Sequence, residues 1–195
     1  KTPGEVVFVQ CVGSRDIPLG CTSCSAVCCM YAIKNALLIK EKYPDTRVTI
    51  LYMDIRAYGK GYEEYYHRAE GLGVRFIRGI PGDIYQADGA VVVHVENTET
   101  KEFLKIEAGL VVLSVGIRPQ ADAGTMAGRL GIVCDDTGFF ACSDQKCGPV
   151  TTLKKGIFLA GTCKEPMDIP DTVMEGGAAA MQAVLATLRG GHAAP

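Results

Sequence analysis

Val6-Val7-Phe8-Val9-Gln10-Cys11-Val12-Gly13, followed by Cys21-Thr22-Ser23-Cys24-Ser25-Ala26-Val27-Cys28-Cys29-Met30, is where the architecture of this chain can be read. The first run is apolar up to Gln10 and reads as a buried strand. Cys24, Cys28 and Cys29 open a helical stretch, predicted over 25–43, in which Val27, Met30, Ile33, Leu37 and Leu38 recur at helical spacing before Pro44-Asp45 ends it. A strand end and a helix start therefore converge. In nucleotide-binding folds a glycine-rich turn at that point sets a pyrophosphate on the helix N-terminus, but here Gly13 lacks the other two glycines. Thiols stand where the phosphate cradle would be.

Four thiolates from one short segment can close a 4Fe-4S site. Cys24 and Cys28 are expected to lie one helical turn apart on the same face, with Cys29 the next residue round and Cys11 approaching from the strand. Cys21 is then left over. The positive end of the helix dipole would stabilise the anionic cluster. Three other readings stay open at this stage. Cys21 and Cys24 form a CxxC, which at a helix N-terminus suits thiol-disulfide exchange. Zinc also takes four thiolates, although two separated CxxC pairs are missing. Free cysteines can also be plain buried hydrophobes.

Outward from this segment, Val48 to Met53 is a second strand, 61–71 a helix carrying Tyr62, Tyr65 and Tyr66, and 73–77 a third strand. This βαβαβ order implies a parallel sheet. The rhythm then changes: 90–96, 103–107 and 110–115 are predicted to form a three-stranded antiparallel meander, with its turn at Asn97-Thr98 and Thr100-Lys101. Gly116-Ile117-Arg118-Pro119 marks a domain crossing, giving a first domain over 1–118 and a second over 119–195. In the second, 138–140 and 156–161 carry strand signals, and 171–188 is helical, capped near Pro170-Asp171 and stopped by Gly190-Gly191.

Composition narrows the function classes. The 195 residues carry a net charge of -2 with interspersed signs, so neither nucleic acid nor an anionic membrane surface is an expected partner. No apolar stretch approaches the roughly 20 residues of a spanning helix, so direct membrane insertion is not expected. Nine cysteines, an odd number, without a secretory leader point to a reducing cytoplasm. A start at Lys1 suggests a piece of a longer chain. Asp54 reads as a cap or salt-bridge partner rather than a ribose-binding acid. Cys134, Cys142, Cys147 and Cys163 are too scattered for a second cluster, and His67, His94 and His192 show no metal or general-base pattern.

Four long motifs carry a resemblance: VVFVQCVGSRD (6–16), CSAVCCMYAIKNALLIKEKYPD (24–45), DIRAYGKGYEEYYHRA (54–69) and GIFLAGTCKEPMDIPDTV (156–173). From Val6 to about Leu188 the chain closely resembles the A subunit of heterodisulfide reductase and its relatives, among them subunits of quinone-interacting membrane-associated complexes. The resemblance implies a thioredoxin-reductase-like α/β core: a Rossmann-like FAD/NAD(P)-binding domain, degenerate and carrying the cysteines, followed by the C-terminal part of an FAD-binding domain. It implies a 4Fe-4S cluster on Cys11, Cys24, Cys28 and Cys29, with no role for Cys21. It also implies FAD, met by the turn Ala160-Gly161-Thr162, where Thr162 replaces the family's Asp, and by Ile169, Asp171, Thr172 and Val173 at the next helix start. The GxGxxG segment that holds the FAD pyrophosphate in that family has no counterpart here. The expected activity is electron transfer between cluster and flavin. The expected partners are other subunits of such a complex, with a homodimer a further expectation.

Overall fold

The computed structural model describes residues 2–190, which form two compact units: 2–15 with 27–116, and 16–26 with 117–190. Lys1, Gly191 and His192 lie outside the described residues.

In the first unit, β1 (Glu5–Val12), β2 (Arg47–Tyr52), β3 (Arg75–Arg78) and β7 (Leu110–Val115) form a parallel sheet in the order β3-β2-β1-β7. Helices α1 (Cys28–Lys42) and α2 (Tyr62–Gly71) make the crossovers. Strand alternation divides β1 between two cores. Val6 and Phe8 pack with Ala32, Ile33, Ala36 and Leu37 of α1, while Val7 and Val9 pack on the opposite face with Val93, Val95 and Ile106. That opposite layer is an antiparallel sheet of β4 (Pro81–Ala87), β5 (Ala90–Asn97) and β6 (Glu102–Ala108). The unit is thus a layer of helices, a parallel sheet and a smaller antiparallel sheet, the α/β arrangement read from the sequence.

Two assignments within it are corrected. The third strand of the meander is β4, not Leu110–Val115, which returns to the parallel sheet beside β1. Gly109 makes this return by lying against the start of β1: its amide donates to Glu5 O at 2.9 Å, and an added Cβ would sit 2.9 Å from Pro3 Cβ. Helix α1 begins at Cys28, because Ala26 holds a left-handed φ of 60°. Cys24 therefore does not stand one helical turn before Cys28.

The second unit contains α3 (Ala123–Leu130), a 3-10 turn at Gly161–Cys163 and α4 (Ile169–Gly190), with a small core of Ala127, Ile132 and Leu159. The strand signals at 138–140 and 156–161 yield isolated bridges, Cys134 with Phe140 and Thr151 with Phe158, rather than strands.

Candidate functional site

The strand order places the site. Chain flow from β1 goes through α1 to β2 on one side, while β7 lies on the other, so the crevice between the carboxyl ends of β1 and β7 is the topological switch point of the sheet. Cys11 sits there, inside a break in register: Val9 pairs with Leu113 but Val12 pairs with Val115, so Gln10 and Cys11 together oppose Ser114. A bulge in a parallel pair is rare, and bulges re-aim side chains. Cys11 has φ 61°, followed by Gly13 at 71° and Arg15 at 55°. A left-handed non-glycine residue costs on the order of 1–3 kcal/mol and is held only where the surroundings impose it.

Cys28 and Cys29 start α1 at the same end of the sheet, both buried. Cys28 Sγ makes a weak contact to Val115 O at 3.9 Å and Cys29 Sγ to Asp54 O at 3.8 Å. No side chain caps the helix N-terminus, which leaves its dipole directed at the thiols. The Tyr31 hydroxyl shares Val115 O at 3.4 Å, and burial pushes its pKa up to about 12. Asp54 is a salt-bridge partner, held by Arg15 at 2.6 Å and by Arg56 at 3.6 Å. Cys24 lies in the other unit, where Ala26 N donates to its sulfur at 3.3 Å. Ser25 draws that segment away from helix by accepting the Ile117 amide at 2.9 Å.

Two polar side chains at the switch point were not singled out from the sequence. Gln10 is only 4% exposed, with neither amide atom hydrogen-bonded, and Ser114 is fully buried with its hydroxyl unpartnered. Each such orphan costs on the order of 1–3 kcal/mol, so its retention calls for a reason. Gln10 and Ser114 interrupt apolar strand runs in the sequence, but that each is buried without a partner is visible only in the structure.

No disulfide joins any of the nine cysteines. Among the described residues no group of three or more His, Cys, Asp or Glu side chains could hold a metal ion as arranged. A structural zinc would need such a convergence on one ion, whereas a 4Fe-4S cluster takes its four thiolates on four separate irons. The donor set therefore fits a thiolate-ligated cluster in chemistry, with three cysteines at one end of one sheet and buried polar groups that lack partners beside them.

In the second unit the turn at Gly161 meets the first turn of α4. Gly161 has φ 75°, and a Cβ there would stand 3.0 Å from Thr172 Cγ2. Glu175 accepts the Gly161 amide at 3.0 Å and pairs with the nearly buried Lys164. Burial lowers the Lys164 pKa, but its contacts with Glu175 and Glu165 outweigh this and leave it raised. Asp168, rather than Pro170-Asp171, caps α4, accepting the Asp171 amide at 2.9 Å. Thr162 lines a cavity of about 390 Å³ with Arg118, Phe139, Phe140 and Cys163, whereas Ile169 and Val173 are exposed. His67 pairs with Glu70 at 2.8 Å on the surface of the first unit.

No family model matches the sequence. Curated relatives do. The iron-sulfur A subunit of CoB–CoM heterodisulfide reductase from Methanocaldococcus jannaschii is 50% identical over 183 residues, which is 92% of this chain and 28% of the relative. This chain is a homologue of the heterodisulfide reductase A subunit. The A subunit of the H2/formate:CoB-CoM heterodisulfide,ferredoxin reductase from Methanococcus maripaludis is likewise 50% identical over 92% of the chain and 28% of the relative. The homologue thus spans less than a third of the length of either. Among solved structures, Lactococcus lactis thioredoxin reductase aligns with TM-score 0.60 and 21% identity over 95% of this chain and 53% of that one. Thioredoxin reductase from T. acidophilum aligns with TM-score 0.59 and 18% identity, over 94% and 53%. The fold of this heterodisulfide reductase homologue is therefore thioredoxin-reductase-like. Among its described residues no helix is long and apolar enough to cross a membrane.

Proposed function

We propose that this chain is the electron-transfer segment of a heterodisulfide-reductase-A-like iron-sulfur flavoprotein oxidoreductase, working with other subunits of a cytoplasmic redox complex. Cys11, Cys24, Cys28 and Cys29 would hold a 4Fe-4S cluster. Gly161, Thr162, Ile169, Asp171, Thr172 and Val173 would meet FAD. The observation that carries the reading is the position of Cys11, Cys28 and Cys29 at the carboxyl end of the parallel sheet, on the strained bulge of β1 and the uncapped start of α1. Cys24 joins them by chain continuity, four residues before Cys28.

When bound, the cluster supplies one-electron chemistry and the flavin couples it to two-electron chemistry. The protein's own residues set the conditions. The α1 dipole favours negative charge at Cys28 and Cys29. The Ala26 amide donates a hydrogen bond to the Cys24 sulfur at 3.3 Å, orienting it. Burial of Cys28 and Cys29 keeps water from them. In the second unit, Glu175 anchors the Gly161 turn against α4, and Asp168 fixes the helix start, so the flavin-side residues are held before any ligand arrives.

Anaerobic purification followed by assay of iron, acid-labile sulfide and zinc tests this. About four irons and four sulfides per chain, lost in Cys28→Ser, is the expected result. Zinc in their place, or no metal with a reactive Cys21-Cys24 dithiol, would overturn it.

A further inference from the structure

Gln10 and Ser114 lie side by side at the bulge, where Gln10 and Cys11 of β1 together oppose Ser114 of β7. Both face α1. Alternation puts Gln10 on the face of Phe8, which packs against Ala32 and Ile33, and Ser114 on the face of Val112, which packs against the same core. Ser114 is near enough to the Tyr31 hydroxyl of α1 to lower its pKa against the larger effect of burial, although its own hydroxyl has no partner at hydrogen-bond geometry. The residue after Ser114 is Val115, whose carbonyl receives Cys28 Sγ at 3.9 Å and Tyr31 at 3.4 Å. The orphaned amide and hydroxyl thus sit under the first turn of α1, beside the thiol of Cys28.

Two polar side chains buried from bulk solvent and given no protein partner keep their hydrogen-bonding capacity for a ligand. Val115 O, an acceptor nearby, is already shared by two donors, and the Gln10 amide and the Ser114 hydroxyl each keep a proton to offer. A thiolate-ligated cluster is anionic, and its sulfurs accept hydrogen bonds from N–H and O–H groups. Gln10 and Ser114 can each supply one.

We infer that Gln10 and Ser114 are hydrogen-bond donors to the sulfur atoms of the cluster at Cys28, and that they raise its reduction potential by stabilising the charge added with one electron. The inference rests on the cluster assignment above. Neither residue is a ligand, so removing either leaves iron binding intact. The hydroxyl of Ser114 has no hydrogen-bond partner in the protein, so Ser114→Ala is expected to leave the fold as stable as before or more so.

The test uses the chain purified without oxygen, as wild type, Ser114→Ala and the near-isosteric Gln10→Met. Iron and sulfide are counted, and the midpoint potential is read by dithionite titration monitored by electron paramagnetic resonance. Each variant is expected to keep wild-type iron and to shift its reduction equilibrium about tenfold toward the oxidised state, a midpoint roughly 59 mV more negative for a one-electron couple. Unmoved midpoints in iron-loaded variants overturn the inference and leave the cluster in place, as they would if the two side chains held only a buried water. Wild-type protein without iron overturns the cluster assignment and the inference with it. Should Gln10→Met fail to fold, Ser114→Ala decides alone.

Discussion

Gly161→Ala tests the close approach between the turn at 161–163 and helix α4, on which the flavin-side assignment depends. Two costs add at this position. The first is conformational: φ is 75°, and an L-residue in the left-handed region costs about 1–2 kcal/mol, offset by the roughly 0.4–1 kcal/mol an alanine saves in the unfolded chain. The second is steric, since the new Cβ would stand 3.0 Å from Thr172 Cγ2, and overpacking of this kind costs about 1–3 kcal/mol. Gly156 in the same unit provides the control, with φ 84° and nothing within 4 Å of an added methyl. Gly156→Ala should therefore cost about 1 kcal/mol and Gly161→Ala about 2–3 kcal/mol, a further fall in Tm of about 2–8 °C for a chain of this size. Thr172→Ser removes the methyl that would clash; the remaining Thr172 atoms are 3.9 Å or more from the added Cβ. The double variant should return to about the cost of Gly156→Ala. Thermal and urea unfolding followed by circular dichroism measures all four. Equal losses for the two glycine variants, or no rescue by Thr172→Ser, would refute the close approach.

Glu175→Ala removes the partner of both the Gly161 amide and Lys164, whose side chain is only 10% exposed, so unfolding should become easier by about 2–3 kcal/mol with little relief from added salt. The raised pKa of Lys164 means that the stability it contributes is fully present below the unfolded lysine value, about 10.4, and lost as pH rises through the folded one. In the wild type the urea midpoint should therefore fall above that pH more than it does in Glu175→Ala. Tyr31→Phe should remove one late-titrating phenol from the alkaline difference spectrum. Its folded pKa of about 12 exceeds the unfolded value of about 10, so the wild type loses stability between those pH values and the variant loses less.

The sequence carried the β1-α1-β2-α2-β3 order because each segment has one clear period and a clear stop, such as Pro44-Asp45 after α1. It did not carry the pairing of β7. Leu110–Val115 follows β6 after Gly109 alone, which reads as a hairpin, yet a continuous apolar run is what parallel strands carry. Strand β4 was hidden by its breakers, Pro81 and Gly82, which an edge strand tolerates at its start. Helix α3 was hidden by Gly124 and Gly128, poor helix formers. The cysteine spacing drew attention to the end of the sheet where β1 meets α1, but a helical count from Cys24 to Cys28 missed the Ala26 break, since a left-handed alanine has no sequence signature. Gln10 and Ser114 needed burial and hydrogen-bond partners to be noticed at all.

The most direct test of the central claim separates two cysteines three residues apart. Cys21→Ser and Cys24→Ser, purified side by side without oxygen, are compared for iron and acid-labile sulfide. The account predicts wild-type iron in Cys21→Ser and loss of the cluster in Cys24→Ser. Equal retention in both, or loss with Cys21→Ser alone, would contradict the assignment of Cys24 as the ligand that completes the set with Cys11, Cys28 and Cys29.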